Sequence, residues 1–333
     1  MLYKDFFKLD LKTEKILNKI PGPILVLGAG GFIGSNLLSS LLFSRKDVFG
    51  LSRNPKNNKR FEILDLPKSK ILKCDINNLN KLKLVFSKIK PKTVFNFSAY
   101  GAYSNQENPF KIYQTNFLST VNIIEELKKY MLKAYIHAGS SSEYGENSAK
   151  PKEHSSLSPN SHYAVSKASV SNLLYYYGKH ENLPVIHFRL YSVYGPLEES
   201  DRLIPTIIRF GRQKKYPPLV SANISRDFIH TFDITRAFIL GAANSNKKNY
   251  GEAFNIGTGK KTSIKALSLI IRDVCKIKDN PVFGSMGERR WDHGKDWFAD
   301  PSKASKFLKF RAKINLKEGL KKTIQFNRKV NWQ

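Results

Sequence analysis

The stretch "ILVLGAGGFIGSNLLSSLLF", residues 24–43, decides the fold. A short apolar run, Ile24 to Leu27, is followed at once by four glycines in seven residues and then by a helical pattern from Phe32. The run reads as a strand and the remainder as a helix. The glycines match GxxGxxG at Gly28, Gly31 and Gly34, because Ile33 stands where a GxGxxG reading would need glycine. Glycines in such a turn let the backbone approach a ligand closely, and the N-terminus of the following helix attracts phosphate. A strand, a glycine turn and a helix in that order mark a dinucleotide site, with Gly28, Gly31, Phe32, Ile33 and Gly34 around the pyrophosphate.

Outward from this unit the rhythm repeats. Strand-like runs at 47–52, 70–75, 93–99 and 133–139 are separated by helical stretches, the longest from about Pro109 to Tyr130. This alternation predicts an α/β fold, a Rossmann-type doubly wound parallel sheet with helices on both faces. After "PVIHFRLYSVYGP" (184–196) the spacing becomes irregular, with helical "RLIPTIIRFGRQ" and strand-like "SRDFIHT", "GEAFNIG" and "KDWFAD". The expected division is an N-terminal extension (1–22), a nucleotide-binding domain (23–190) and a smaller C-terminal lobe (191–333) for substrate, interleaved with returns to the sheet. The ligand should lie between the two.

The chain has 333 residues, 41% of them hydrophobic, enough for a core of its own. Lys and Arg number 56 against 27 Asp and Glu, a formal charge of +29. That charge would attract nucleic acid, anionic lipid or a phosphorylated substrate. The lysines are spread along the chain without a single basic block or an RNA-binding signature, so composition explains the charge and no nucleic-acid partner is expected. Cys74 and Cys275 have no CxxC spacing and read as buried thiols, with neither a disulfide nor a metal site. No apolar run approaches the ~20 residues of a transmembrane helix, and the N-terminus lacks a signal-peptide pattern, so a cytoplasmic protein is expected. In the extension, Leu9, Ile16, Leu17 and Ile20 form an apolar stripe suited to docking on the protein's own surface or on a second copy.

The second strand ends in "GLSRN". A free adenosine ribose usually meets an acidic residue about 20 residues beyond the glycines. Here Ser52 and Arg53 stand there, and an arginine suits a 2′-phosphate, favouring NADP over NAD. Asp75, after the third strand, can accept from the adenine amino group or cap the helix that starts near Asn78.

In "SHYAVSKASV" (161–170), Tyr163 and Lys167 are four apart and so share one helical face. Alone they could be two residues of an amphipathic helix. Together with "GAGGFIG", "CDI" (74–76), "NFSA" (96–99), "TNFLSTVNIIE" (115–125), "HAGSSSEYG" (137–145), "RLYSVYGP" (189–196), "SRDFIHTFDITRA" (225–237), "FNIGTG" (254–259) and "WFADPSKA" (297–304), they resemble the extended short-chain dehydrogenase/reductase family. Its members include the nucleotide-sugar epimerases, dehydratases and ketoreductases.

The resemblance implies that Tyr163 is the catalytic acid/base and Lys167 its partner. A phenol has a pKa near ~10 in water, and a neighbouring cation favours its ionised form. The third member is a serine that holds the substrate oxygen; aligning Tyr144-Gly145 selects Ser140, with Ser141 second. Further cofactor contacts implied are Ile76, Ser98, Ala99 and Asn116, and the nucleotide-diphosphate sugar would meet Ser141, Ser192, Arg226 and Arg290. Tyr100, Tyr103, Trp291, His293 and Trp297 either line the sugar pocket or pack.

Sugar 4,6-dehydratases resemble Ser-Thr-Asp-Glu or Thr-Ser-Glu in the serine loop, because eliminating water takes an acid and a base. Ungapped, Ser141 and Ser142 occupy those places and Glu143 comes one position late. The expected activity is a 4-epimerase or 4-ketoreductase, with dehydratase as the alternative and a non-catalytic NADP-binding regulator as the rival of another class. A role in polysaccharide precursor synthesis, and a homodimer on helices 110–130 and 160–181, are also what the resemblance implies.

Overall fold

The computed structural model describes residues 3–103, 105–287 and 296–332. Six strands lead the chain: β1 (Ile24–Leu27), β2 (Val48–Ser52), β3 (Ile71–Lys73), β4 (Thr93–Asn96), β5 (Ala134–Ser140) and β6 (Val185–Leu190). Short β7 (Ser192–Tyr194), β8 (Ser225–Arg226) and β9 (Phe228–His230) follow, before β10 (Ala253–Ile256) rejoins the sheet and β11 (Thr262–Ser263) pairs with β8. The seven-stranded sheet runs β10-β6-β5-β4-β1-β2-β3, parallel throughout. β1 and β4 are buried along their whole length, which is why these strands read as continuous apolar runs.

The helices are α1 (Leu11–Leu17), α2 (Phe32–Ser44), α3 (Lys59–Leu64), α4 (Leu79–Ile89), α5 (Pro109–Tyr113), α6 (Ser119–Leu127), α7 (His162–Lys179), α8 (Leu203–Arg212), α9 (Thr231–Ala243), α10 (Ile264–Cys275) and α11 (Leu316–Val330). A π turn over Gln114–Leu118 joins α5 to α6, so the long helix expected from Pro109 is continuous but carries a local widening. Side-chain caps fix the starts: Asn58 for α3, Asn78 for α4, Asn108 with Pro109 for α5, Ser161 for α7 and Asn315 for α11.

One face of the sheet packs on α2 and α9 through residues such as Leu37, Leu41 and Phe238, the other on α4, α6 and α7 through Phe86, Ile123 and Leu174. A third apolar cluster joins α8, α10 and α11 through Ile207, Leu267 and Leu320. The strand expected at "KDWFAD" does not form among its described residues. Phe298 makes a single bridge to Ala149, while Trp297 and Ala299 on either side of it turn inward against Tyr191.

The extension docks on the chain's own surface. α1 lies against α9 with Leu17 and Ile20 buried and Leu9 and Ile16 half-covered. Polar contacts reinforce it: Arg45 donates to the carbonyls of Leu17 (2.9 Å) and Ile20 (2.5 Å), and Ser44 donates to Glu14 (2.8 Å). Cys74 and Cys275 are buried free thiols, as expected.

Candidate active site

The strand order turns back beside β1: β2 and β3 lie on one side of it, β4 and the later strands on the other. In such sheets the crevice beyond the carboxyl ends of the strands is the ligand site. The glycine turn sits there. Gly28 has φ +71°, and a Cβ on it would lie 2.7 Å from the backbone of Phe97 and Ser98; one on Gly34 would lie 2.3 Å from the Gly28 carbonyl. Only glycine lets these backbones meet. Gly31 opens α2 without any side-chain cap, so the first N–H groups of the helix, from Phe32 and Ile33 onward, remain for an anion. These features fit a dinucleotide pyrophosphate.

Beyond the carboxyl ends of β2 and β3, Arg53, Asn54, Lys73, Asp75 and Lys81 line a cavity of about 400 Å³. Asp75 does not cap α4; Asn78 does, accepting from the Lys81 N–H, while Asp75 accepts from the Asn77 N–H at 3.0 Å. Ile76 is buried beneath, and Arg53 is exposed. Arg60 on α3 escaped the sequence reading. Its guanidinium donates to the Leu197 carbonyl (3.0 Å) and pairs with Glu199 (2.5 Å), tying α3 to the loop after β7.

At the other end of the crevice, α7 brings Tyr163 and Lys167 to the tip of β5. The Lys167 ammonium is 2% exposed, donates to the Ala138 carbonyl at 2.9 Å and lies 5.8 Å from the Tyr163 ring centre. Desolvation pushes it down to about 8, partly opposed by the charge of Glu143. Tyr163 is half-covered. Desolvation and then the Glu143 charge push its phenol up to about 12, with Arg202 and the Ser140 hydroxyl acting the other way. Ser140 Oγ accepts from both the N–H (3.1 Å) and the hydroxyl (2.8 Å) of Ser142, and its own hydroxyl is turned to the Tyr163 oxygen. The structure thus brings Ser140, Tyr163 and Lys167 together, an arrangement able to move a proton at a hydroxyl or ketone.

Glu143 does not point into this site. It is fully buried, accepting from the Ser140 N–H, His187 Nε2 and Arg189 Nε, each at 2.8 Å. Burial alone would raise its carboxyl, but the His187 and Arg189 charges and the Ser140 N–H outweigh that and hold it below the usual carboxylate range. Arg189 continues the network to Tyr144 (2.8 Å), the Glu153 carbonyl (2.9 Å) and Ser171 (3.1 Å). A signal for it was present in sequence: His187 and Arg189 are two apart in a strand and so face the same side.

Ser141 is buried and accepts from the Trp297 indole N–H at 2.9 Å, and the Arg226 guanidinium lies 5.6 Å from the Trp297 ring centre. Ser192 is half-buried, its N–H donating to the Asp227 carbonyl at 2.9 Å. Ser98 and Ala99 border the crevice after β4, the Ser98 N–H donating to Asn96 at 2.9 Å. Asn116, expected among the cofactor contacts, spends its amide on the protein: it accepts from the Tyr100 N–H (2.8 Å) and donates to the Tyr100 carbonyl and Ser166 (both 2.9 Å). It therefore holds the loop after β4 against α7. Tyr103, under Arg202, gives its hydroxyl to Glu199, and Lys111 lies over the ring of Tyr100. Arg290, Trp291 and His293 lie outside the described residues. Among the described residues no three His, Cys, Asp or Glu side chains are grouped to hold a metal.

Comparison with known proteins agrees with this geometry. The model of the NAD dependent epimerase/dehydratase family matches residues 24–257. A UDP-glucuronate 4-epimerase of Thermodesulfobacterium geofontis is 30% identical over 325 residues, covering 92% of this chain and 96% of its own. The structure of a Thermotoga maritima UDP-glucose 4-epimerase with UDP-glucose superposes with a TM-score of 0.81 at 25% identity, covering 92% of this chain and 99% of that one. A mutant UDP-glucuronic acid 4-epimerase from Bacillus cereus, in complex with NAD, gives 0.78 at 27% identity, with coverage of 92% and 99%. Glycine turn, paired tyrosine and lysine, and matched length lead to one conclusion: the chain belongs to the NAD-dependent epimerase/dehydratase family and is an enzyme of it.

Proposed function

We propose that the chain acts on a nucleotide-diphosphate sugar, as a 4-epimerase, with Tyr163 as acid/base. The observation that carries this is the juxtaposition of Tyr163, Lys167 and Ser140 at the end of the crevice that begins with the glycine turn. A nicotinamide dinucleotide, when bound, would supply reversible hydride transfer at the sugar carbon. Gly28, Gly31 and Gly34 would let its pyrophosphate approach α2, and Asp75 would accept from the adenine amino group. Ser140 donates to the sugar oxygen while Tyr163 removes or restores its proton, and Lys167 supplies positive charge beside the phenol. Arg226, behind Trp297, takes the diphosphate together with Arg290, as bidentate guanidinium contacts suit phosphate; Ser141 and Ser192 border the sugar. The domain division at about residue 190 follows from this: sheet for cofactor, lobe for substrate.

Dehydration is disfavoured by the placement of Glu143, whose carboxylate oxygens face Arg189 and His187 away from the sugar. A second reading, a 4-ketoreductase that releases its cofactor after each transfer, is favoured by Arg53 at the ribose end, which suits NADP. Arg53→Ala should weaken NADPH binding roughly tenfold or more and leave NADH binding unchanged, as expected for one charge-assisted contact; fluorescence titration of both cofactors measures this. Equal losses for the two would remove the role given to Arg53.

Identifying the cofactor released from purified protein, and following C4 stereochemistry of UDP-glucose and UDP-glucuronate by NMR, tests the main reading. Retained dinucleotide with a C4 epimer as product supports it. Consumption of NADPH with a 4-keto sugar selects the reductase, and no reaction with any nucleotide sugar defeats both. A homodimer fits the exposure of Phe110 (86%), Leu118 (53%) and Tyr175 (53%) on the outer side of the α5–α6 run and α7. No helix of the described residues is long and apolar enough to cross a membrane, which is compatible with a cytoplasmic place in polysaccharide precursor synthesis.

A further inference from the structure

A second concave surface lies on the α9 face of the sheet, apart from the crevice. It is an open groove of about 1730 Å³, walled by α1 on one side and by residues 301–313 on the other, running from Pro21 and Lys133 to Gly257 and Thr258. Both walls fall outside the 24–257 span that the family model matches. Lys12, Lys19, Lys133, Lys306, Lys309 and Lys313 line it, with Arg236 and Arg311, and no Asp or Glu is in the lining. The half-exposed carboxylate of Asp10 stands at its edge, 4.0 Å from Arg236, so cations exceed carboxylates here by more than the 56 to 27 of the whole chain. Arg236 is tied to Asp233 (2.7 Å) from beneath, and Arg311 donates to Ser305; the lysines form the exposed rim.

Docking of the extension does not need this convergence of charge. Leu17 and Ile20 are buried and, with the Arg45 bonds, hold α1 in place, while Lys12 and Lys19 are exposed in the groove lining. Like charges gathered in a concave wall repel one another and hold counter-ions that a polyanion would release. The lining donates from ammonium and guanidinium groups, and the carboxylates beside it, Asp10 and Asp233, already accept from Thr13, Arg236 and the Lys313 N–H. An acidic peptide would bring a backbone N–H at every residue that needs an acceptor, whereas a phosphate chain brings acceptors only. An unpaired nucleic acid would want stacking surfaces, and Phe310 in the lining is buried, leaving Tyr250 alone. We propose that the groove between α1 and residues 301–313 binds a linear polyphosphate chain, independently of the sugar site.

The test is fluorescence anisotropy with labelled inorganic polyphosphate of medium chain length, at about 0.05–0.15 M salt. The protein is the full chain, a Lys12→Glu/Lys19→Glu/Lys306→Glu variant, and a control with Lys83→Glu/Lys88→Glu/Lys90→Glu on and beside α4, on the opposite face. Circular dichroism and the urea-unfolding midpoint confirm that each variant is folded. The groove variant should bind at least tenfold more weakly, and its plot of log affinity against log salt should be shallower by about two, as expected for three lost phosphate contacts. The control should stay within about twofold of wild type. Equal losses in both variants, equal affinity for poly-glutamate or an unpaired oligonucleotide, or no binding at the higher salt would overturn the proposal.

Discussion

Tyr163→Phe should lower kcat by about 10²–10⁴-fold while leaving dinucleotide and nucleotide affinities within about twofold, because only the proton-transferring oxygen is removed. The substitution is structurally mild: the ring is half-covered and its hydroxyl faces the crevice and Ser140. The chain by itself works against the phenolate, since burial and Glu143 push the phenol up to about 12. Positive charge near Tyr163 is therefore required, and Lys167 supplies it only while protonated. Desolvation brings that ammonium down to about 8, so its charge is present below pH 8 and lost above. The log of kcat/KM should accordingly turn down as pH rises past about 8, a basic limb that ordinary lysines near ~10.4 would not give. Turnover by Tyr163→Phe equal to wild type would sink the acid/base assignment.

What could be read from the sequence follows the range of the interactions. The glycine turn, the strands of the parallel sheet and the helix carrying Tyr163 and Lys167 depend on neighbours within a few residues, and each formed where its pattern predicted, unlike the strand expected at "KDWFAD". The groups that met across 40 or more residues were harder. Glu143 could be seen as a misplaced dehydratase acid, yet its partners His187 and Arg189 lie 44 and 46 residues away and come into line only when β5 and β6 pair. Asn116 matched a cofactor motif, but pattern matching does not reveal that its amide is already consumed by Tyr100 and Ser166. Trp297 was ambiguous for the same reason. Its contact with Ser141 spans 156 residues, and only packing of the lobe on the serine loop decides it.

Glu143→Ala should destabilise the protein by about 3–5 kcal/mol, the cost of leaving a buried guanidinium without its counter-charge. Arg189 is 4% exposed and His187 is fully buried, so neither regains water when the carboxylate is removed. Glu143→Gln should cost less, since the amide oxygen can still accept from the Ser140 N–H, but it removes the charge that Arg189 needs. Acid unfolding separates charge from shape. The Glu143 pKa is lowered in the folded state, so its contribution is present above the unfolded carboxyl value of about 4.3 and is lost as pH falls through the lower folded value. Wild type should therefore lose stability on that descent by more than Glu143→Gln does, as read from urea midpoints across the acid range. The chemistry should respond as well, because the carboxylate fixes the backbone that presents Ser140: folded Glu143→Gln should show a lower kcat with little change in KM. An alanine variant within about 1 kcal/mol of wild type would contradict the buried network. A dehydrated sugar product from wild type that disappears in Glu143→Gln would instead make Glu143 the acid or base of an elimination, and the 4-epimerase reading would fall with it.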